Sequence, residues 1–153
     1  DWSEEMNRFD EEEEAAAERG DAGAYAEANL RFWLDAGRPA DAVDPAVRAL
    51  VRTMILRAFE LQVAERPEEA EEEQLVGDLA TRVREIRAPV LVLVGRDDVS
   101  DMHAIAERLE RELPNAERAV VPGAAHLPSL EQPADFDGVL VPFLERYGSR
   151  SYG

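Results

Sequence analysis

The sequence predicts an α/β chain in two parts, a helical region over 1–86 followed by a β-α-β-α unit with parallel strands over 87–147. Two patterns carry this. Up to residue 86 apolar residues recur at helical spacing, with turn residues between the runs. From Val90 to Val94 they run unbroken over the length of one strand, the pattern of a strand covered on both faces in a parallel sheet. A helical stretch and a second short apolar run follow, which is how a chain returns to the same sheet in parallel.

Ser3, with Glu4, Glu5 and Met6 after it, reads as a helix start, and the helix runs to Gly20. Gly20-Asp21-Ala22-Gly23 is a turn. Tyr25, Ala28, Leu30, Phe32, Trp33 and Leu34 form one amphipathic helix that ends at Gly37-Arg38-Pro39. Asp44 caps the next helix, with Pro45 at its first position. Its apolar positions are Val47, Leu50, Val51, Met54, Ile55, Ala58, Phe59 and Leu61. After Pro67 and an acidic run, Leu75, Leu79, Val83 and Ile86 suggest a last short helix of this part. In the second part, strand 90–94 is followed by a helix over Asp101 to Leu113, with Ile105 and Leu109 on one face. Pro114-Asn115 ends that helix, and Arg118 to Val121 is the second strand. Pro133 opens the final helix, whose apolar face is Phe136, Val139, Leu140, Phe143 and Leu144. Residues 148–153 read as a tail.

A chain of 153 residues can bury one hydrophobic core. Having no cysteine, it has no disulfide, thiolate metal site or cysteine nucleophile. No apolar run approaches the length of a membrane span, and a soluble, cytoplasmic protein is expected. The net charge of −17 argues against nucleic acid as a partner, because binding phosphates needs a concentrated positive surface. The acidic runs Glu11 to Glu14 and Glu68 to Glu73 read as solvated helix faces, since no ligand-spaced His or Asn interrupts them. No metal or cofactor is implied.

Two segments stand just beyond the carboxyl ends of the strands, where open α/β sheets place ligands and catalytic groups. One is Leu93-Val94-Gly95-Arg96-Asp97-Asp98, in which Gly95 permits a sharp exit from the strand. The other is Val121-Pro122-Gly123-Ala124-Ala125-His126-Leu127-Pro128, a small-residue loop that presents His126. A β-α-β unit of this length brings both loops to one edge of the sheet.

Pro89 to Asp98, then the helix, His126, Glu131-Gln132-Pro133 and Phe136, resembles the end of an α/β-hydrolase. The resemblance is strong over 87–147. It extends loosely over 1–86, where Asn29 to Trp33 and the helix from Asp44 are similar to the helical cap (lid) of that family. It implies a C-terminal part of the fold with Asp98 as the catalytic acid and His126 as the base, in the family's order of nucleophile, acid, histidine. Ala125 stands where many relatives have Gly, which is acceptable if the backbone there avoids positive φ. The nucleophile elbow Gly-x-Ser-x-Gly is not in this sequence, since Ser3, Ser100, Ser129, Ser149 and Ser151 lack the flanking glycines. The implied activity is hydrolysis of an ester, lactone or related bond in a longer parent, with this chain inactive alone.

Each residue also has a plainer role open to it. Asp98 could simply cap the next helix, and Asp97 competes with it as the acid, although the Gly-x-x-Asp spacing selects Asp98. His103 reads as a structural or rim residue. Glu131 supports either the histidine loop or the start of the last helix. Trp33, Phe32, Met54 and Phe59 are helix-packing residues that, in a cap, could also contact substrate. The alternative function is a non-catalytic interaction or binding module. The expected partners are a small-molecule substrate and either a second copy in a homodimer or the N-terminal half of the fold. Neither nucleic acid nor membrane is expected.

Overall fold

Helix α1 (Glu4–Glu18) starts on Ser3, whose hydroxyl accepts the Met6 N–H at 3.1 Å. Glu4 and Glu5 in its first turn lie at the positive end of the helix dipole. Helix α2 (Ala22–Asn29) is capped by Asp21, which accepts the Ala24 N–H at 3.0 Å. The sequence predicts a single helix from Tyr25 through Leu34. Instead, α2 widens into a π-helical turn, Leu30–Asp35, which ends at Ala36 and Gly37, both with positive φ. This turn buries Leu30, Phe32 and Leu34, and with them the carboxylate of Asp35. A buried charge needs a partner, and Arg48 of α3 (Pro45–Ala64) forms an ion pair with Asp35. Helix α3 opens as expected on Asp44, which accepts the Ala46 N–H at 2.7 Å. Its inward face carries Val51 and Phe59, whereas Leu50, Met54 and Leu61 are exposed.

This computed structural model describes residues 2–64 and 82–148, and the chain divides into two compact units, Asp1–Gly77 and Asp78–Gly153. The acidic run Glu68 to Glu73, Leu75, Leu79 and residues 149–153 lie outside the described residues. Val83 does not continue an α-helix to Ile86: Val83–Glu85 is one 3₁₀ turn, and Ile86 is extended and exposed.

The second unit begins with β1 (Val90–Gly95), then α4 (Ser100–Glu112) and β2 (Ala116–Val121). The strands are parallel, in a register that pairs Val90 with Ala116 and Gly95 with Val121. β2 therefore begins two residues before the expected Arg118. Both strands end level, so the loops after them leave from the same edge. Val92 and Val94 pack with Ala106 and Leu113. Ile105, expected on one face of α4 with Leu109, is 37% exposed. A short helix α5 (Pro128–Glu131) precedes the long α6 (Pro133–Tyr147), which Pro133 opens as expected. Phe143 is the buried residue of α6, whereas Leu144 is 51% exposed. Successive strand residues face opposite sides of a sheet. Glu117 binds Arg146 and Tyr147 of α6, and Arg118 binds Glu110 of α4. The two helices thus cover opposite faces of the strand pair. Among the described residues, β1 pairs with β2 alone.

Candidate active site

The level strand ends place Asp98 and His126 side by side. Oδ2 of Asp98 lies 3.1 Å from Nδ1 of His126, across 28 residues of sequence. A carboxylate only accepts, so Nδ1 carries the proton in this contact. The Asp98 side chain is 5% exposed and that of His126 is 37% exposed. The other oxygen of Asp98, Oδ1, accepts the Val99 N–H at 2.9 Å. This bond to the adjacent residue is not a helix cap, since the N-cap of α4 is Val99 and no side chain caps it, while the second oxygen of Asp98 meets the ring. The backbone N–H of Asp97 donates to the Ala124 carbonyl at 2.9 Å. His103 lies in the first turn of α4.

Gly95 serves a different purpose from the one its sequence position suggests. Its φ is not positive; among the described residues the positive-φ glycines are Gly20, Gly37 and Gly123. What requires glycine is contact: a Cβ on Gly95 would collide with the carbonyl oxygens of Ala124 and Ala125 and stand 2.7 Å from the Ala124 carbonyl carbon. The histidine loop crosses directly over the end of β1, and the fully buried Ala124 and Ala125 are small because the two backbones touch there. Ala125 itself has no positive φ, so alanine is accommodated in place of glycine. Sequence reasoning did not find this crossing, nor the amide of Gln132, whose Nε2 donates to the Gly123 carbonyl at 3.2 Å. Of the two roles open to Glu131, it takes the first: its Oε1 accepts backbone N–H groups of the histidine loop, from Ala125 at 2.9 Å and Leu127 at 3.2 Å.

Asp98 and His126 line a groove of about 190 Å³ together with Val92, Val94, Met102, Leu109 and Pro128. The remaining candidate residues lie in the other unit. Phe32 stacks on Phe9 with ring centroids 4.3 Å apart, and Trp33 meets Phe32 edge-on. Phe32 also walls an open cleft of about 370 Å³ with Arg8, Arg31 and Arg38. Phe59 is buried against Tyr25, and Met54 is 54% exposed. Phe32 and Phe59 therefore pack the interior of the helical unit, and Met54 does not. Among the described residues no group of three or more acidic or His side chains gathers to hold a metal ion. No helix among them is long and apolar enough to cross a membrane.

No family model matches the chain. Among solved structures it is similar to a thermophilic esterase from Thermogutta terrifontis, at 26% identity and a TM-score of 0.65, covering 96% of this chain and 52% of that one. It is also similar to MenH from S. aureus, at 17% identity and a TM-score of 0.62, covering 96% of this chain and 56% of that one. A third likeness is to naproxen esterase from Bacillus subtilis, at 17% identity and a TM-score of 0.63, covering 94% and 46% respectively. The chain spans about half the length of each of these structures. In fold, it is the C-terminal portion of an α/β-hydrolase.

Proposed function

We propose that the chain supplies the acid and the histidine of a hydrolase active site, in which Asp98 orients His126 and His126 transfers protons. The observation that carries this is the 3.1 Å contact between a buried carboxylate and a ring more than a third exposed, at the shared edge of two parallel strands. Asp98 holds the proton on Nδ1, which leaves Nε2 as the basic nitrogen. When the ring takes a proton from a nucleophile, the adjacent carboxylate stabilises the imidazolium that forms. The nucleophile comes from other sequence, because no serine here lies in a Gly-x-Ser-x-Gly elbow. The bond attacked is an ester or a related acyl bond, the chemistry for which two of the structurally similar proteins are named. The helical residues 1–86 form the cap in this reading, with Trp33, Phe32, Met54 and Phe59 as the candidate substrate side.

The test is made in the parent enzyme. His126→Ala and Asp98→Asn should each lower kcat by orders of magnitude, about 10⁴ for loss of the orienting acid in a serine hydrolase. Asp97→Asn should be mild, because it is Asp98 whose carboxylate stands 3.1 Å from the His126 ring. If Asp97→Asn were the more damaging acid substitution, the assignment of the acid would be wrong. Full activity in all three variants would leave the non-catalytic module as the better reading.

A further inference from the structure

The histidine loop is fastened from two directions. From β1, the Arg96 N–H donates to Val121 at 2.8 Å and the Asp97 N–H to Ala124 at 2.9 Å. From the far side, the Glu131 carboxylate accepts the N–H groups of Ala125 and Leu127, the two residues that flank His126. The link to Leu127, the residue before α5, is a local one, made from the last residue of that short helix back to the backbone N–H that precedes it. The link to Ala125 goes beyond any helix cap. It spans the histidine and ties down a residue that is fully buried.

We propose that Glu131 is a positioning residue, one carboxylate that clamps the backbone on both sides of His126 and so sets the ring where Asp98 accepts its Nδ1 proton. The inference rests on the acid–histidine reading above. Asp98 is fixed by the end of β1, so the distance between the two side chains depends on where the loop carries the His126 backbone. The Leu127 carbonyl is also engaged, accepting the N–H groups of Leu130 and Glu131 at 2.9 Å each. Removing the Glu131 carboxylate releases two N–H groups at once, one of them on a fully buried residue. A charge-assisted hydrogen bond is the stronger kind, and its loss lets the ring leave the carboxylate that selects its tautomer.

The chain has two histidines, so two-bond ¹H–¹⁵N spectra of the imidazoles separate His126 from His103, which serves as the internal reference. In the unmodified chain at alkaline pH, His126 should favour the Nδ1–H tautomer, whereas an unrestrained imidazole favours Nε2–H. Glu131→Ala should lower the Nδ1–H to Nε2–H ratio about tenfold or more, and speed amide exchange at Ala125 and Leu127 by a similar factor. Glu131→Gln, which keeps an acceptor oxygen, should restore most of the ratio. Should Glu131→Ala fail to fold, Glu131→Asp withdraws the carboxylate by one methylene and should lower the ratio several-fold. Faster exchange with a tautomer ratio changed less than about twofold would reduce Glu131 to a helix cap and overturn the proposal. Asp98→Asn tests the underlying pair separately: it should abolish the tautomer preference while leaving Ala125 and Leu127 protected. If it leaves the preference intact, the acid–histidine reading fails on its own account.

Discussion

Gly95→Ala should be the most damaging single-methyl change in the second unit, although it adds one carbon at a position with an ordinary φ. The added Cβ would stand 2.7 Å from the Ala124 carbonyl carbon and closer still to the oxygens of Ala124 and Ala125. Non-bonded carbons prefer about 3.5–4.0 Å, so one backbone must retreat by about 1 Å. The strand end cannot easily do so, because Gly95 is paired in register with Val121. The loop must move, and a shift of that size breaks the Asp97–Ala124 bond at 2.9 Å and the Ala125–Glu131 bond at 2.9 Å. It also opens the 3.1 Å contact of His126 with Asp98. At about 1 kcal/mol for the neutral bond and about 1.5–3 kcal/mol for each of the two charged ones, the loss is roughly 4–7 kcal/mol. A domain's whole margin is about 5–15 kcal/mol. Gly138→Ala is the matched control. Gly138 lies exposed in the middle of α6, and a Cβ there meets nothing within 4 Å. It should stabilise by about 0.5–1 kcal/mol, the ordinary gain of alanine over glycine in a helix. Urea unfolding followed by the amide resonances of β1 and β2 measures both. A Gly95→Ala protein within about 1 kcal/mol of the parent, its His126 tautomer unchanged, would refute the crossing as the reason for glycine.

Two further outcomes concern the chain by itself. It should show no turnover on a panel of p-nitrophenyl esters; activity that is lost in His126→Ala would mean that a nucleophile is present in this sequence. It should also self-associate at micromolar concentration, most simply as a symmetric dimer, because among the described residues β1 pairs along one edge only. Light scattering across a dilution series that finds a monomer at every concentration would show that the edge is closed within the chain.

The meeting of Asp98 and His126 was more legible in the sequence than what holds the two loops together. Asp98 and His126 were legible because each follows an apolar run of strand length, and a parallel β-α-β connection brings the two strand ends to the same edge. Ser3 and Asp44 were legible because a cap is a local bond, satisfied within two or three residues. The true demand on Gly95 was not legible: its contact lies about thirty residues along the chain, and nothing at Gly95 itself distinguishes a close crossing from a sharp turn. The π-turn at Leu30–Asp35 escaped for a related reason, since one widened turn alters a helical apolar pattern too little to register. Asp35 beside Leu34 was the available signal there. A carboxylate at the end of an apolar stripe needs a cation, and Arg48 stands on the next helix.

The pair's asymmetry of burial bears on whether it works or merely persists. Keeping a carboxylate almost wholly out of water is costly unless its oxygens are bonded. Asp98 meets that cost with the Val99 N–H on one oxygen and the His126 ring on the other. A loop that needed only to be stapled could use a neutral amide at position 98 and avoid burying a charge. A histidine needed only for packing could be buried with the loop alanines that precede it. The observed arrangement is the reverse, a desolvated acid behind and an accessible ring in front. Its electrostatic effect is largest when the ring becomes positive, because the buried carboxylate then faces a full charge at 3.1 Å with little water between. A structural staple gains nothing from that state, whereas a proton-transferring histidine passes through it in every turnover.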